Sequence, residues 1–133
     1  MNVNFEQKKR RVLLVEDNPI NQKVAGIYLQ RLGFDMEIAE NGKVGVEKFR
    51  QNDYDIILMD INMPVMDGFQ ATFLIREIEK NNKQGSRTSI VAVTANALKG
   101  DKERCLAVGM DHYISKPYLP ADLERAFHVL KAG

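Results

Sequence analysis

Ile56-Ile57-Leu58-Met59 is a run of four apolar residues with no polar alternation, and it ends directly in an acid, Asp60. A strand with one wet face alternates, whereas a strand covered on both faces reads as a continuous apolar run, so this stretch predicts the middle of a parallel sheet. Asn62, Pro64 and Asp67-Gly68 follow at once. These turn formers place Asp60 at the carboxyl end of the strand, facing a loop. In open α/β sheets that edge is where ligands bind.

The same pattern recurs along the chain. Val12-Leu13-Leu14-Val15 runs into Glu16-Asp17, and Ile90-Val91-Ala92-Val93 runs into Thr94. Phe34, Met36 and Ile38 alternate with Asp35 and Glu37, which predicts a strand with a wetter face at a sheet edge. Tyr113-Ile114 is a brief fifth strand, followed directly by Lys116-Pro117.

Helical spacing fills the intervals. Asn18-Pro19 opens a helix whose apolar face is read as Ile20, Val24, Ile27 and Tyr28, closed by Gly33. A short helix spans about Val44 to Arg50, with Val46 and Phe49 inward. Ala71, Leu74, Ile75 and Ile78 mark a third helix that gives way to the polar stretch Lys80 to Arg87. Lys99 to Val108 is a fourth and more polar helix between Gly100 and Gly109, and Leu123, Ala126, Phe127 and Leu130 mark a fifth. Five strands alternating with five helices imply a parallel sheet covered on both faces by right-handed crossovers.

With 133 residues, one domain is expected, residues 11–131, preceded by a flexible lead over residues 1–10. The basic cluster Lys8-Lys9-Arg10-Arg11 is read as a solvated approach to the first strand. A net charge of +1 gives no global sign of nucleic-acid or membrane binding. No run approaches the roughly 20 apolar residues that span a bilayer, and no signal-peptide core is present. The single cysteine, Cys105, excludes an internal disulfide and suits a cytoplasmic location. Nothing near it suggests an activated thiolate. Neither His112 nor His128 has a ligand partner at useful spacing, and Met59, Met63 and Met66 are read as packing residues.

If the strands are parallel, Glu16, Asp17, Asp60, Thr94 and Lys116 converge on one rim. Three clustered carboxylates repel one another unless a cation neutralises them, and Mg²⁺, which takes oxygen ligands, answers that need. Beside Mg²⁺ and the Lys116 ammonium, Asp60 is a carboxylate nucleophile able to take up a phosphoryl group as an acyl phosphate. The Thr94 hydroxyl can donate to a phosphoryl oxygen.

Val15-Glu16-Asp17-Asn18, Met59-Asp60 through Met63-Pro64 and Asp67-Gly68, Thr94-Ala95, and Lys116-Pro117 together resemble the receiver domain of two-component response regulators, over nearly the whole chain. The resemblance implies a flavodoxin-like (βα)5 doubly wound sandwich whose parallel strands run in the order 2-1-3-4-5. It implies that Asp60 is the phosphoacceptor, Glu16, Asp17, Asp60 and the Asn62 carbonyl the Mg²⁺ ligands, Lys116 the phosphoryl-binding cation, Thr94 the switch hydroxyl and Tyr113 the switch aromatic. A cis Lys116-Pro117 bond is implied as well. The partner would be a histidine kinase or histidine phosphotransfer domain, and the response a change on the face formed by the fourth helix, fifth strand and fifth helix. Such a domain is no turnover enzyme and catalyses only its own phosphorylation and dephosphorylation. Asn18-Pro19-Ile20-Asn21 and Thr94-Ala95-Asn96-Ala97-Leu98 are similar to receivers of hybrid histidine kinases, which implies a larger parent chain.

Two other classes use part of this chemistry. A phosphatase of the haloacid dehalogenase type also pairs a strand-end Asp with Mg²⁺, but it places a second acid two residues later, where this chain has Asn62. A phosphate-independent interaction module would keep the fold and lose the intact acid, hydroxyl and lysine set.

Overall fold

The structure, a computed structural model, describes residues 10–82, 87–95 and 100–132. Lys8 and Lys9 of the basic cluster, Asn96 to Leu98 of the motif after Thr94, and Lys99 lie outside the described residues. The elements alternate as β1 (Arg11–Val15), α1 (Pro19–Arg31), β2 (Asp35–Ala39), α2 (Gly42–Gln51), β3 (Ile56–Asp60), α3 (Gly68–Asn82), β4 (Ser89–Thr94), α4 (Lys102–Val108), β5 (His112–Ser115) and α5 (Pro120–Ala132). All strands are parallel and lie in the order β2-β1-β3-β4-β5. The wetter strand β2 is indeed at an edge, and β3, buried at every position, is central.

The period of two along each strand divides the core into two layers. Leu13, Val15, Ile57, Met59, Ile90 and Ala92 face α2, α3 and α4, packing with Phe49, Ile75 and Cys105. Val12, Leu14, Ile56, Leu58, Val91 and Val93 face α1 and α5, packing with Leu29, Leu123 and Phe127. A sheet covered on both faces needs apolar residues at both parities, which is why the strand runs are continuous. Met59 is fully buried, Met63 nearly so, and Met66 packs at the margin of the first layer.

The helices start where side chains replace missing acceptors. Asn18 Oδ1 accepts from the amides of Ile20 and Asn21 at 2.9 and 3.1 Å, with Pro19 in the first turn. Asn41 Oδ1 accepts from the Val44 amide at 2.9 Å. Asp67 and Gln70 cap α3 reciprocally. Gly109, at φ 105°, ends α4 in the left-handed conformation.

One expectation needs correction. The stripe Ile20, Val24 and Ile27 does not face the core: these residues are 73%, 39% and 47% exposed, while Ala25 and Leu29 are fully buried. Helix α1 carries two apolar stripes on opposite sides, and the one containing small Ala25 packs on the sheet; of the expected face only Tyr28 is partly buried. Helix α4 runs from Lys102 to Val108 and is preceded by a wider helical turn at Gly100 and Asp101, with Gly100 at φ 88°; the expected start at Lys99 lies outside the described residues.

Candidate functional site

β1, β3, β4 and β5 are in register, so their carboxyl ends share one rim. Asp60 pairs with Val93, one residue before Thr94, and Thr94 pairs with Ser115, one before Lys116. Asp60 and Glu16 are almost wholly buried, Thr94 is fully buried, and Asp17 is exposed. One carboxylate oxygen from each of Glu16, Asp17 and Asp60 lies within 4.8 Å of the other two.

Both oxygens of Asp60 are engaged. Lys116 Nζ donates to Oδ2 at 2.9 Å, and the Asn62 amide donates to Oδ1 at 3.1 Å. Lys116 Nζ is also 3.9 Å from Glu16 Oε1. The chain then folds back tightly: the Gly68 amide donates to the Ile61 carbonyl at 3.1 Å, and a Cβ on Gly68 would lie 2.5 Å from the Asp60 carbonyl oxygen. Any side chain there would push α3 away from the site. Between them, Met66 N donates to Pro64 O at 2.8 Å around Val65, which has φ 72° and is 75% exposed. This is a γ-turn centred on a β-branched residue, a strained arrangement.

Glu16 is held from several sides. Its own amide donates to the Ala39 carbonyl at 3.0 Å, the Asn18 amide donates to its Oε2 at 3.0 Å, and Gln22 Nε2 donates to its carbonyl at 2.8 Å. Burial raises its pKa above the ordinary 4.5; the Asn18 amide opposes that, the Asp60 charge adds to it, and Lys116 opposes it. Three carboxylates facing one ammonium leave unneutralised negative charge, and the donor set is all oxygen, which suits a hard divalent cation.

Thr94 and Tyr113 are close to this cup without entering it. The Thr94 hydroxyl donates to Asp101 Oδ2 at 2.6 Å, and the Lys116 amide donates to the Thr94 carbonyl at 2.8 Å. Tyr113 packs at the margin of the α2–α3–α4 layer, with Lys102 Nζ 5.7 Å from its ring centre. Lys116-Pro117 is cis. The Asn62 side chain is exposed, beside its bonded amide. Sequence reasoning missed Asp101 and Gln22. Their spacing to Thr94 and Glu16 carries no periodic or motif signal.

The sequence pattern of the response regulator receiver domain matches residues 12–128. Among curated relatives, hybrid signal transduction histidine kinase B of Dictyostelium discoideum is 44% identical over 124 residues, covering 88% of this chain and 6% of that one. The signal transduction histidine-protein kinase BarA of Escherichia coli K12 is 41% identical over 106 residues, covering 80% and 11%. The chain thus spans only a small part of the relatives it matches. Among solved structures, the receiver domain of sensor histidine kinase PA1611 from Pseudomonas aeruginosa PAO1, with a magnesium ion coordinated in its active site cleft, is 43% identical with a TM-score of 0.79, covering 90% of this chain and 94% of that one. The receiver domain of the Saccharomyces cerevisiae response regulator Ssk1, crystallised with the histidine phosphotransfer protein Ypd1, is 35% identical with a TM-score of 0.82, covering 89% and 86%.

Proposed function

This chain belongs to the response regulator receiver domain family, and from that premise we propose that Asp60 accepts a phosphoryl group from a phosphohistidine on a partner. The observation that carries this reading is the carboxylate of Asp60 held 2.9 Å from the Lys116 ammonium, inside a cup completed by Glu16 and Asp17. In the transfer, an Asp60 oxygen attacks phosphorus, the N–P bond to the imidazole breaks, its electron pair stays on that nitrogen, and an acyl phosphate forms. Lys116 exchanges its carboxylate contact for a phosphoryl oxygen, while the Asn62 amide keeps the other Asp60 oxygen oriented. Positioning and charge stabilisation of this kind carry most of phosphoryl-transfer catalysis.

Glu16, Asp17, Asp60 and the Asn62 carbonyl would hold Mg²⁺. When bound, that ion supplies the positive charge which lets phosphoryl oxygens approach an acidic cup. The chain catalyses only its own phosphorylation and dephosphorylation, with no steady turnover of an external substrate. The receiver unit is assigned to residues 11–131, with residues 1–10 as a lead, supported by β1 beginning at Arg11 and α5 ending at Ala132. A place within a larger hybrid kinase follows the relatives. The assigned location is the cytoplasm; among the described residues no helix is long and apolar enough to cross a membrane.

A histidine phosphotransfer domain must bring its imidazole to Asp60, so whatever borders the cup is covered during transfer. Leu119, strongly exposed, lines the same groove as Glu16 and Lys116, and Ile20, also strongly exposed, lies in the first turn of α1, which follows Glu16 and Asp17. A groove of ≈ 460 Å³ between α1 and the β5–α5 connection is lined by Asn21, Val24, Tyr28, Tyr118, Leu119 and Lys116. This apolar surface, running up to Lys116, is assigned as the seat of the partner's histidine-bearing helix. As the phosphoryl group arrives, Thr94 turns its hydroxyl to one of its oxygens, and Tyr113 follows inward, altering the face made by α4, β5 and α5.

The test is transfer from a ³²P-labelled histidine phosphotransfer protein to the purified chain. Label should move to the wild type in Mg²⁺ and fail to move after chelation or in Asp60→Asn. Transfer to Asp60→Asn at the wild-type rate contradicts the reading.

A further inference from the structure

Asp101 stands where a helix cap belongs, immediately before α4, yet it has helical dihedrals (φ −63°, ψ −34°) and makes no side-chain hydrogen bond to the first turn. Its carboxylate is used elsewhere, accepting the Thr94 hydroxyl at 2.6 Å. That length is typical of a hydroxyl bonded to an ionised carboxylate, the stronger kind of hydrogen bond. A threonine hydroxyl has one hydrogen to give. It goes to Asp101 or to a phosphoryl oxygen on Asp60, never to both.

The geometry points to Asp101 as a positioning residue that holds the Thr94 hydroxyl away from Asp60 in the unphosphorylated protein. This inference rests on the roles proposed above for Asp60 and Thr94 and adds an opposing contact to them. The Thr94–Asp101 bond must break for Thr94 to engage the phosphoryl group, and this releases the Asp101 side chain at the start of α4. The helix is built to respond at that end. Among its residues only Cys105 is buried. Its far end is anchored, because Arg76 Nε donates to the Gly109 carbonyl at 2.9 Å while the same guanidinium holds Asp111 at 2.8 Å. A helix fixed at its carboxyl end shifts at its amino end when the Thr94–Asp101 contact there is released.

The experiment compares the whole chain with Asp101→Ala, Asp101→Asn, Thr94→Val and the Thr94→Val/Asp101→Ala pair, using acetyl phosphate and Mg²⁺ as the phosphoryl source. It reads the initial labelling rate and, before labelling, the ¹³C signal of the Thr94 methyl. Asp101→Ala should label about tenfold faster, the change expected from loss of one hydrogen bond to a charged group. Asp101→Asn, which keeps the volume and guards against misfolding of the alanine variant, should fall between. In both, the Thr94 methyl signal should move toward its position in the wild type with beryllofluoride bound. In the Thr94→Val background, Asp101→Ala should have no further effect on the rate. Wild-type rates with an unmoved Thr94 signal overturn the inference, as does an undiminished effect of Asp101→Ala in Thr94→Val, which would place its action on α4 alone. A wild type that takes no label overturns the proposed function itself, and this inference with it.

Discussion

Asp60 is oriented by a backbone amide on one oxygen and an ammonium on the other, so its reactivity is fixed by neighbours more than by its own identity. Several of those neighbours were legible in the sequence, because a strand-end acid, a strand-end threonine and a Lys-Pro pair mark themselves by position. Asp101 was not, since nothing in spacing tells that a residue placed to cap a helix spends its carboxylate on a threonine seven positions back. Nor was the strain at Val65, which exists only because Pro64 and Met66 close a tight turn around it. A β-branched residue at φ 72° is disfavoured where glycine is not. Val65→Gly should therefore stabilise the fold by up to about 1 kcal/mol despite the entropy glycine brings to the unfolded chain. The midpoint of urea unfolding reads this directly; an unchanged or lower midpoint would mean the turn holds Val65 without strain.

The strands were legible as elements because burial on both faces leaves continuous apolar runs, and the wet edge strand β2 betrayed itself by alternation. Helix faces were readable only where one stripe dominates. In α5, Leu123, Ala126 and Phe127 are buried as spacing requires, whereas α1 has apolar residues on both sides and periodicity could not choose between them. Its outward stripe implies a division of labour that substitution can separate. Leu29→Ala should cost about 2–5 kcal/mol by emptying a fully buried site. Ile20→Ser, at an exposed position, should change stability by less than about 0.5 kcal/mol, yet slow phosphoryl transfer from the partner protein and leave labelling by acetyl phosphate intact. Equal losses with both donors would place Ile20 in the cup's support and not in docking.

At the scale of the molecule, the carboxyl ends of three strands of one sheet, β1, β3 and β5, gather residues a hundred positions apart into a single cup. Stability and function draw on different ends of that sheet. At β5 on the sheet edge, burial lowers the pKa of His112 below its ordinary 6.5. The unfolded chain then binds more protons than the folded one as pH falls. Stability from this group is fully present above pH 6.5 and is lost as pH drops through the folded value. His112→Gln should accordingly flatten the fall in stability between about pH 7 and 5, measured by urea unfolding, relative to the wild type. An identical slope would assign the acid sensitivity to the carboxylates. None of this touches the cup. The claim about the cup is tested most directly by reducing the phosphorylated chain with borohydride, which converts an aspartyl phosphate to homoserine, and reading the modified residue by peptide mass spectrometry. The account predicts homoserine at position 60 in one-to-one yield with incorporated phosphate; phosphate retained on His112, His128 or any other side chain, with Asp60 unaltered, contradicts it.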